Sequence, residues 1–290
     1  MIVNQKKCSS FNSCTQQHTQ VLEKNGWQIS QCNTCGHRHT VVIDSTSHVK
    51  EVYSDAYFFE GGQGYPNYLE EKDILLKYGS RYAGIMKKIT SPGKMLDVGS
   101  AAGFILKGFA DAGWQCKGLE PNNGMALYGR NELGLDIETG NLENFNSKEK
   151  FNLVSLIQVV GHFTDVDAAM QRIVSILEPG GYVLIESWDM ESRYAKLMGR
   201  NWHEYSPPSV INWFSEKTLS QLFQYYGFEL EAKGKPLKKI NLKHAFSLLD
   251  ESTPKFAGKT KTLEFFRNSI GRFNIIYPPF DVNWYVWKKR

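Results

Sequence analysis

The stretch Leu96-Asp97-Val98-Gly99-Ser100-Ala101-Ala102-Gly103-Phe104 limits the fold more than any other part of the chain. An apolar strand runs into a turn of small residues, and Phe104 opens a helix. Small residues let the backbone approach a ligand closely, and the free N–H groups of a helix start favour an anion. A dinucleotide-binding turn needs glycine two and five positions after its first glycine. Ala101 and Phe104 occupy those positions, which argues against a nicotinamide fingerprint and an NAD-dependent oxidoreductase.

The turn sits inside an alternation of short apolar strands and helical patterns. Strands are expected at Met95 to Val98, Cys116 to Leu119, Leu153 to Val159 and Tyr182 to Glu186, with helices from about Phe104, Met125 and Asp167. Such alternation predicts a parallel sheet covered on both faces. Before it, a helical pattern runs from Leu69 through Met86 and stops before Ser91-Pro92-Gly93. After it, Ser215 to Leu219 opens a helix ending near Gly227, Phe228 to Ala232 reads as a strand, and Asn283 to Trp287 is a strand candidate able to pair beside it. Residues 241 to 275 read as basic helical segments, while Trp27 to Ser30 and Thr40 to Ile43 are β-like runs in a polar N-terminal module.

With 290 residues, 41% of them hydrophobic and 13% aromatic, a large buried core is within reach, and disorder, collagen and coiled coil are excluded. The net charge of +4 is too small to imply nucleic-acid binding, but it is uneven. From Lys233 to Arg290 there are 13 Lys and Arg against 4 Asp and Glu, so a basic annex follows a mildly acidic body. That annex, with Lys233, Lys235, Lys238, Lys239 and Lys243 in its first part, could attract an acidic acceptor. Met-Ile-Val-Asn-Gln-Lys-Lys at the start lacks a hydrophobic signal core, and no stretch is apolar enough to span a membrane, so a cytoplasmic location is expected.

Ligand-facing residues follow from the strand ends. Glu120 closes the strand after the small-residue turn, where an acid can take both hydroxyls of a ribose. A nucleoside without phosphates therefore suits this site better than NAD. Gly140-Asn141-Leu142-Glu143 can bring Asn141 to an adenine edge, and Gln158 stands at the end of a further strand.

Taken together, these residues resemble class I S-adenosylmethionine-dependent methyltransferases. Leu96 to Gly103 looks like their Asp-x-Gly-x-Gly-x-Gly loop, and Ile176-Leu177-Glu178-Pro179-Gly180-Gly181-Tyr182 looks like their Leu-x-Pro-Gly-Gly turn. Cys32-x-x-Cys35-Gly36, Tyr53 to Phe59, Tyr65 to Tyr68 and Trp202 to Leu219 are similar to a branch that joins a zinc-ribbon-like N-terminus to this core and methylates carbon or oxygen of small metabolites, sugars or carrier-bound intermediates. The resemblance implies an α/β fold with a Rossmann-like core and a mostly parallel seven-stranded sheet. The expected parts are a ribbon module at 1–48, an aromatic lid with helices at 49–92, the core at 93–235 and a basic, helical C-terminal cap with a final strand at 236–290.

It also implies that Asp97, Gly99, Ser100, Gly103 and Phe104 surround the methionine part of S-adenosylmethionine, that Glu120 and Pro121 meet the ribose, and that Asn141 and Leu142 flank the adenine. Gln158 and Val159 would lie near the sulfonium, with Tyr65 in a lid shared with Tyr57 and Phe58. The sequence departs from the family where an Asp becomes Gln158, a Glu-His pair becomes Gly161-His162, and Pro-Pro-Glu-His becomes Pro207-Pro208-Ser209-Val210. His162, His203 and Tyr205 are left as the candidate acid/base groups, His162 first among them. A non-catalytic binding or regulatory protein is the rival reading of those departures. Cys8, Cys14, Cys32 and Cys35 form a candidate set for a structural Zn²⁺, the Cys32/Cys35 half having the spacing of a zinc knuckle. The implied partner is a small-molecule acceptor, phosphorylated or carrier-tethered, with no role for nucleic acid or membrane.

Overall fold

The computed structural model describes residues 17–60, 65, 67–236, 238–241, 274–277 and 280–290. Strand β1 (His18–Lys24) turns through Asn25-Gly26 into β2 (Trp27–Cys32). Both turn residues have positive φ, 53° and 77°, which matches the twist of a two-residue hairpin. Strand β3 (Arg38–His39) follows, then helices α1 (Ser45–Val52), α2 (Asp55–Phe59) and α3 (Lys72–Met86). The Asp44 carboxylate caps α1 by accepting the Thr46 and Ser47 N–H groups.

The core alternates β4 (Lys94–Val98), α4 (Phe104–Asp111), β5 (Gln115–Glu120), α5 (Asn123–Leu133), β6 (Asp136–Thr139), β7 (Phe151–Ile157), α6 (Val166–Ile176) and β8 (Leu177–Trp188). Beyond it come α7 (Arg193–Met198), β9 (Asn212–Trp213), α8 (Glu216–Tyr225), β10 (Phe228–Gly234), β11 (Lys238–Asn241), β12 (Asn274–Tyr277) and β13 (Val282–Lys289). Side chains of Asn122, Asp165 and Ser215 accept N–H groups at the starts of α5, α6 and α8, so each helix begins where the sequence supplies a cap.

Seven strands form the main sheet in the order β10-β13-β8-β7-β4-β5-β6. β13 pairs antiparallel with both β8 and β10, while β8, β7, β4, β5 and β6 pair in parallel. Alternate residues of each strand serve opposite faces. Leu96, Val154 and Ile185 pack with α6 and α8, whereas Met95, Leu153 and Leu184 pack with α3, α4 and α5. The expected pairing of Asn283 to Trp287 beside residues 228 to 232 is present, and it places β13 between two partners.

Other expectations change. Thr40 to Ile43 is not a strand: the ladder residues are Arg38 and His39, the Thr40 N–H goes to the Ile211 carbonyl at 3.0 Å, and Ile43 is 92% exposed. β3 pairs with β9, so the N-terminal ribbon forms a four-stranded sheet, β1-β2-β3-β9, with a segment that lies far along the chain. Asn241 and the segment Asn274–Ile275 lie in the antiparallel pair β11–β12 instead of a helix, because their backbone groups are used across the ladder. The rest of the helical reading of residues 241 to 275 falls at 242–273, outside the described residues.

Helices α3 and α4 touch through glycine. A Cβ at Gly79 would stand 2.2 Å from the Ile105 carbonyl oxygen, and one at Gly108 2.3 Å from the Ser80 nitrogen. Neither backbone atom can yield without moving a helix. Gly108→Ala should therefore lower stability by about 1–3 kcal/mol through overpacking, measured by denaturant unfolding.

Candidate functional site

Strand order reverses at β4, whose neighbours β5 and β7 lead the chain in opposite directions across the sheet. A crevice opens at the carboxyl ends of the strands at such a point, and the small-residue turn sits there. Gly99, Ala101 and Gly103 all take positive φ, 66°, 47° and 80°. A Cβ on Gly99 would meet Val159 Cγ2 at 2.7 Å, and one on Gly103 would meet Leu135 Cδ1 at 2.6 Å, so glycine is required for space as well as for φ.

Two buried acids lie beside this turn. Glu120, 3% exposed, accepts the Ala101 N–H through Oε2 and the Asn122 N–H through Oε1, each at 2.8 Å. Asp97 accepts the Ser155 hydroxyl at 2.5 Å. Burial pushes the Glu120 carboxyl up to about 7 against the opposing pull of its two backbone donors. Burial likewise pushes Asp97 up to about 7, with the Ser155 hydrogen bond acting in the opposite sense. Ser100 Oγ is buried without a hydrogen-bond partner. An unmatched hydroxyl, two carboxyls with spare lone pairs and a turn pared of side chains form a polar cradle for a ligand rich in hydroxyl and amino groups.

A cavity of about 660 Å³ extends from the ends of β5 and β6, lined by Tyr53, Asp55, Pro121, Asn123, Thr139 and Asn141 among others. The Asn141 carbonyl accepts the Asn144 N–H at 3.3 Å, so this side chain holds its own loop as well as facing the cavity. Leu142 is buried in the sheet core. Phe104 is also buried and stacks on Tyr68 at 5.7 Å, and Tyr65 packs edge-on against Tyr57 and Tyr68.

A second chamber of about 90 Å³ lies beyond β7, bounded by Tyr57, Gln158, His162, Trp188, Trp202 and Glu204 together with Ser209, Asn212 and Trp213. Gln158 has a left-handed backbone, φ 59°, and its Nε2 donates to Glu186 Oε1 at 2.5 Å while its N–H donates to the Glu186 carbonyl at 2.8 Å. The hydroxyl of Tyr82 donates to the same buried Glu186 carboxylate. Val159 stands against the turn at Gly99.

His162 approaches the Ser209 carbonyl through Nδ1 at 2.6 Å and the Tyr53 hydroxyl at 3.0 Å, and Tyr53 donates to the same carbonyl at 2.9 Å. Burial lowers the His162 pKa, and hydrogen bonding to the Ser209 and Gln158 carbonyls opposes this. The other two acid/base candidates serve the surrounding loop. Tyr205 is buried between Trp202 and Trp213 and contacts the Arg38 guanidinium. His203 packs edge-on to Trp188, with Nδ1 3.9 Å from the fully buried Asp281. Neither is among the residues that bound the chamber.

Of the cysteines, Cys32 is buried and Cys35 partly buried, while Cys8 and Cys14 fall outside the described residues. Among the described residues, no group of three or more His, Cys, Asp and Glu side chains is arranged around one metal position. The rings of His18 and His37 both pack against His39 in the same module. Tyr53, Asn122, Ser155, Glu186 and Ser209 are site residues that sequence reasoning passed over. Tyr53 and Ser209 lay inside stretches noted for the resemblance without a role of their own, and Asn122 carried a readable signal as a cap residue before a helical pattern.

This geometry is that of a methyltransferase core, and the comparisons agree. A family described as a methyltransferase domain matches residues 71–233, more than half of the chain, and the chain belongs to that family.

Among curated relatives, a ubiquinone biosynthesis O-methyltransferase of Bradyrhizobium sp. (strain ORS 278) is 26% identical over 118 residues, which are 39% of this chain and 43% of that protein. Its counterpart from Rhodopseudomonas palustris (strain BisB18) is also 26% identical over 118 residues, covering 39% and 42%. The match thus spans less than half of these relatives. Among solved structures, a SAM-dependent methyltransferase from Thermotoga maritima has a TM-score of 0.50 at 18% identity, covering 75% of this chain and 92% of its own. One from Methanosarcina mazei has a TM-score of 0.50 at 13% identity, covering 71% and 96%. These two share the fold.

The pKa values near 7 exceed the ordinary 3.8 of Asp and 4.5 of Glu, so the folded state retains protons that the unfolded chain has released. Stability of the ligand-free protein should fall as pH rises from about 4 to about 7 and level off above that. Thermal melts between pH 5 and 8 should show this decline, and Asp97→Asn should make it shallower while the Glu120 part remains.

Proposed function

We propose that the protein methylates carbon or oxygen of a small metabolite, a sugar or a carrier-bound intermediate, with His162 as the general base. The observation that carries this reading is the place of His162, on the wall of the small chamber and next to the strand ends that bear the small-residue turn. The curated relatives named as O-methyltransferases support an oxygen acceptor.

Asp97, Gly99, Ser100 and Gly103 would hold the methionine portion of S-adenosylmethionine, Glu120 with Pro121 the ribose, and Asn141 the adenine end. The cofactor supplies a methyl group already activated on a sulfonium, so the protein's task is to position the acceptor and keep water out. Burial keeps the His162 ring neutral and able to take a proton. The Ser209 and Gln158 carbonyls then stand ready to stabilise the imidazolium. Tyr53, bonded to the same carbonyl as His162, fixes the ring orientation.

The cysteine module is read as a structural Zn²⁺ site using Cys32 and Cys35 with Cys8 and Cys14. Four protein ligands would leave the metal no catalytic position. The basic annex is read as a means of drawing in an acceptor that is phosphorylated or tethered to an acidic carrier. Within the annex, Lys233 is paired with Glu216 at 2.6 Å.

His162→Ala should lower methyl transfer by about 10²–10⁴-fold while leaving S-adenosylmethionine affinity unchanged, read by product formation and calorimetry. Unchanged turnover would remove His162 from the chemistry. Glu120→Ala should weaken S-adenosylmethionine binding by at least about tenfold, because a buried hydrogen-bonding group is lost and the Ala101 and Asn122 N–H groups lose their acceptor. Metal analysis of the purified chain should find about one Zn²⁺ per chain.

A further inference from the structure

The end of β7 holds an arrangement that the methyl-transfer reading leaves without a role. Glu186 stands opposite Ile157 at the last rung of the β7–β8 ladder and is 4% exposed. Its carboxylate joins two elements. One oxygen accepts the Gln158 side-chain amide at 2.5 Å, and the other accepts the hydroxyl of Tyr82, a buried residue of α3. Burial and the neighbouring carboxylate raise Tyr82 well above the ordinary phenol range, so it keeps its proton and remains a donor. The Glu186 main-chain carbonyl takes the Gln158 N–H as well, at 2.8 Å. Gln158 is thus gripped through backbone and side chain together by one residue of the neighbouring strand.

The grip falls on a backbone that needs holding. Gln158 has φ 59°, in the left-handed region that residues other than glycine, Asn and Asp seldom enter. Such strain persists only where the surroundings over-determine it, and it gathers at functional sites. The residues that follow show what the kink does. It ends the strand and carries the chain into Val159, whose side chain lies against Gly99 in the small-residue turn. The Val159 carbonyl then accepts the His162 N–H at 2.9 Å, closing the short 3-10 turn Val160–His162. The Gln158 carbonyl itself hydrogen-bonds the His162 ring. A negative φ at residue 158 would redirect this carbonyl and the turn, and with them the approach of the ring to Ser209.

We propose that Glu186 is a positioning residue: by clamping Gln158 in the left-handed conformation it sets the turn that presents His162 to the chamber, and Tyr82 ties the clamp to α3. The assignment rests on the reading of His162 as the general base and names the residues that hold that base in place. Glu186 acts on His162 through the backbone of Gln158. Its loss must therefore be made good wherever residue 158 adopts the left-handed conformation unaided, and glycine is the residue that does so without steric cost.

The test reads the His162 ring directly and needs no acceptor. The full chain is labelled with nitrogen-15 in histidine, and long-range proton–nitrogen NMR spectra at about pH 8, where the ring is neutral, show which ring nitrogen carries hydrogen. His162→Ala assigns the signal. In the wild-type chain the His162 proton is expected on Nδ1, which faces the Ser209 carbonyl at 2.6 Å. Glu186→Ala should replace this signal by the tautomer mixture of a loosely held ring, and so should Gln158→Met, which removes the clamp from its partly exposed side. Glu186→Gln should keep the signal, because its amide oxygen still accepts from Gln158. Gln158→Gly added to Glu186→Ala should restore it. Thermal unfolding of the same samples shows which variants fold, and Gln158→Met carries the test if Glu186→Ala does not. A signal that Glu186→Ala or Gln158→Met leaves in place, or that Gln158→Gly fails to restore, would overturn the proposal. Its loss in Glu186→Gln would do the same, since charge and not the clamp would then be the operative feature. Turnover unaffected by His162→Ala would overturn the base reading alone, because the ring signals do not depend on it.

Discussion

The Glu120 carboxylate is the interaction on which the site depends. Ala101 occupies the left-handed region without being glycine, a conformation that costs about 1–2 kcal/mol. It is held there by a buried carboxylate oxygen on its N–H. The second oxygen takes the Asn122 N–H, and Asn122 passes the constraint outward. Its side chain caps α5 by accepting the Met125 N–H, and its Nδ2 donates to the Tyr53 carbonyl and to Asp55, each at 3.0 Å. Tyr53 in turn touches His162 and Ser209. One continuous set of hydrogen bonds therefore runs from the turn after β4, across the larger cavity, to the wall of the smaller one.

The parallel strands were legible because burial on both faces makes them nearly continuous apolar runs, as at Met95 to Val98 and Leu153 to Ile157. Strands that lacked this were hidden. β6 buries only Ile137, and β1 has mostly exposed side chains, so neither shows the pattern. The Asn25-Gly26 pair was the local signal that would have found β1. β9 is two residues long, and no periodicity can announce it; it exists because Arg38 and His39 offer it an edge. Thr40 to Ile43 has the composition of a strand but lies beyond the ladder, which ends at His39, since tertiary pairing decides such short runs.

The site divides in the same manner. Positions marked by a strand end, a glycine or an acid could be read from residue type, as with Gly99, Gly103 and Glu120. Contacts between distant segments could not. Nothing near Tyr53 indicates that its hydroxyl meets a carbonyl of residue 209, and nothing near Gln158 indicates that its backbone turns left-handed to reach Glu186. His203 and Tyr205 have the chemistry of acid/base groups, yet both are engaged in holding the loop that carries Trp202 and Glu204.

β13 has a consequence in time as well as in space. It separates β10 from β8 in the sheet, although β10 precedes it in the chain. As the chain is made from its N-terminus, β10 emerges with no partner strand, and the outer edge of β8 stays open until residues 282–289 arrive. Trp287 and Tyr285, which fill the core beneath α8, arrive in that same segment. The nascent protein thus carries an unpaired strand edge and an unfilled core until β13 closes both at once, and in that interval it is most exposed to mispairing with another chain.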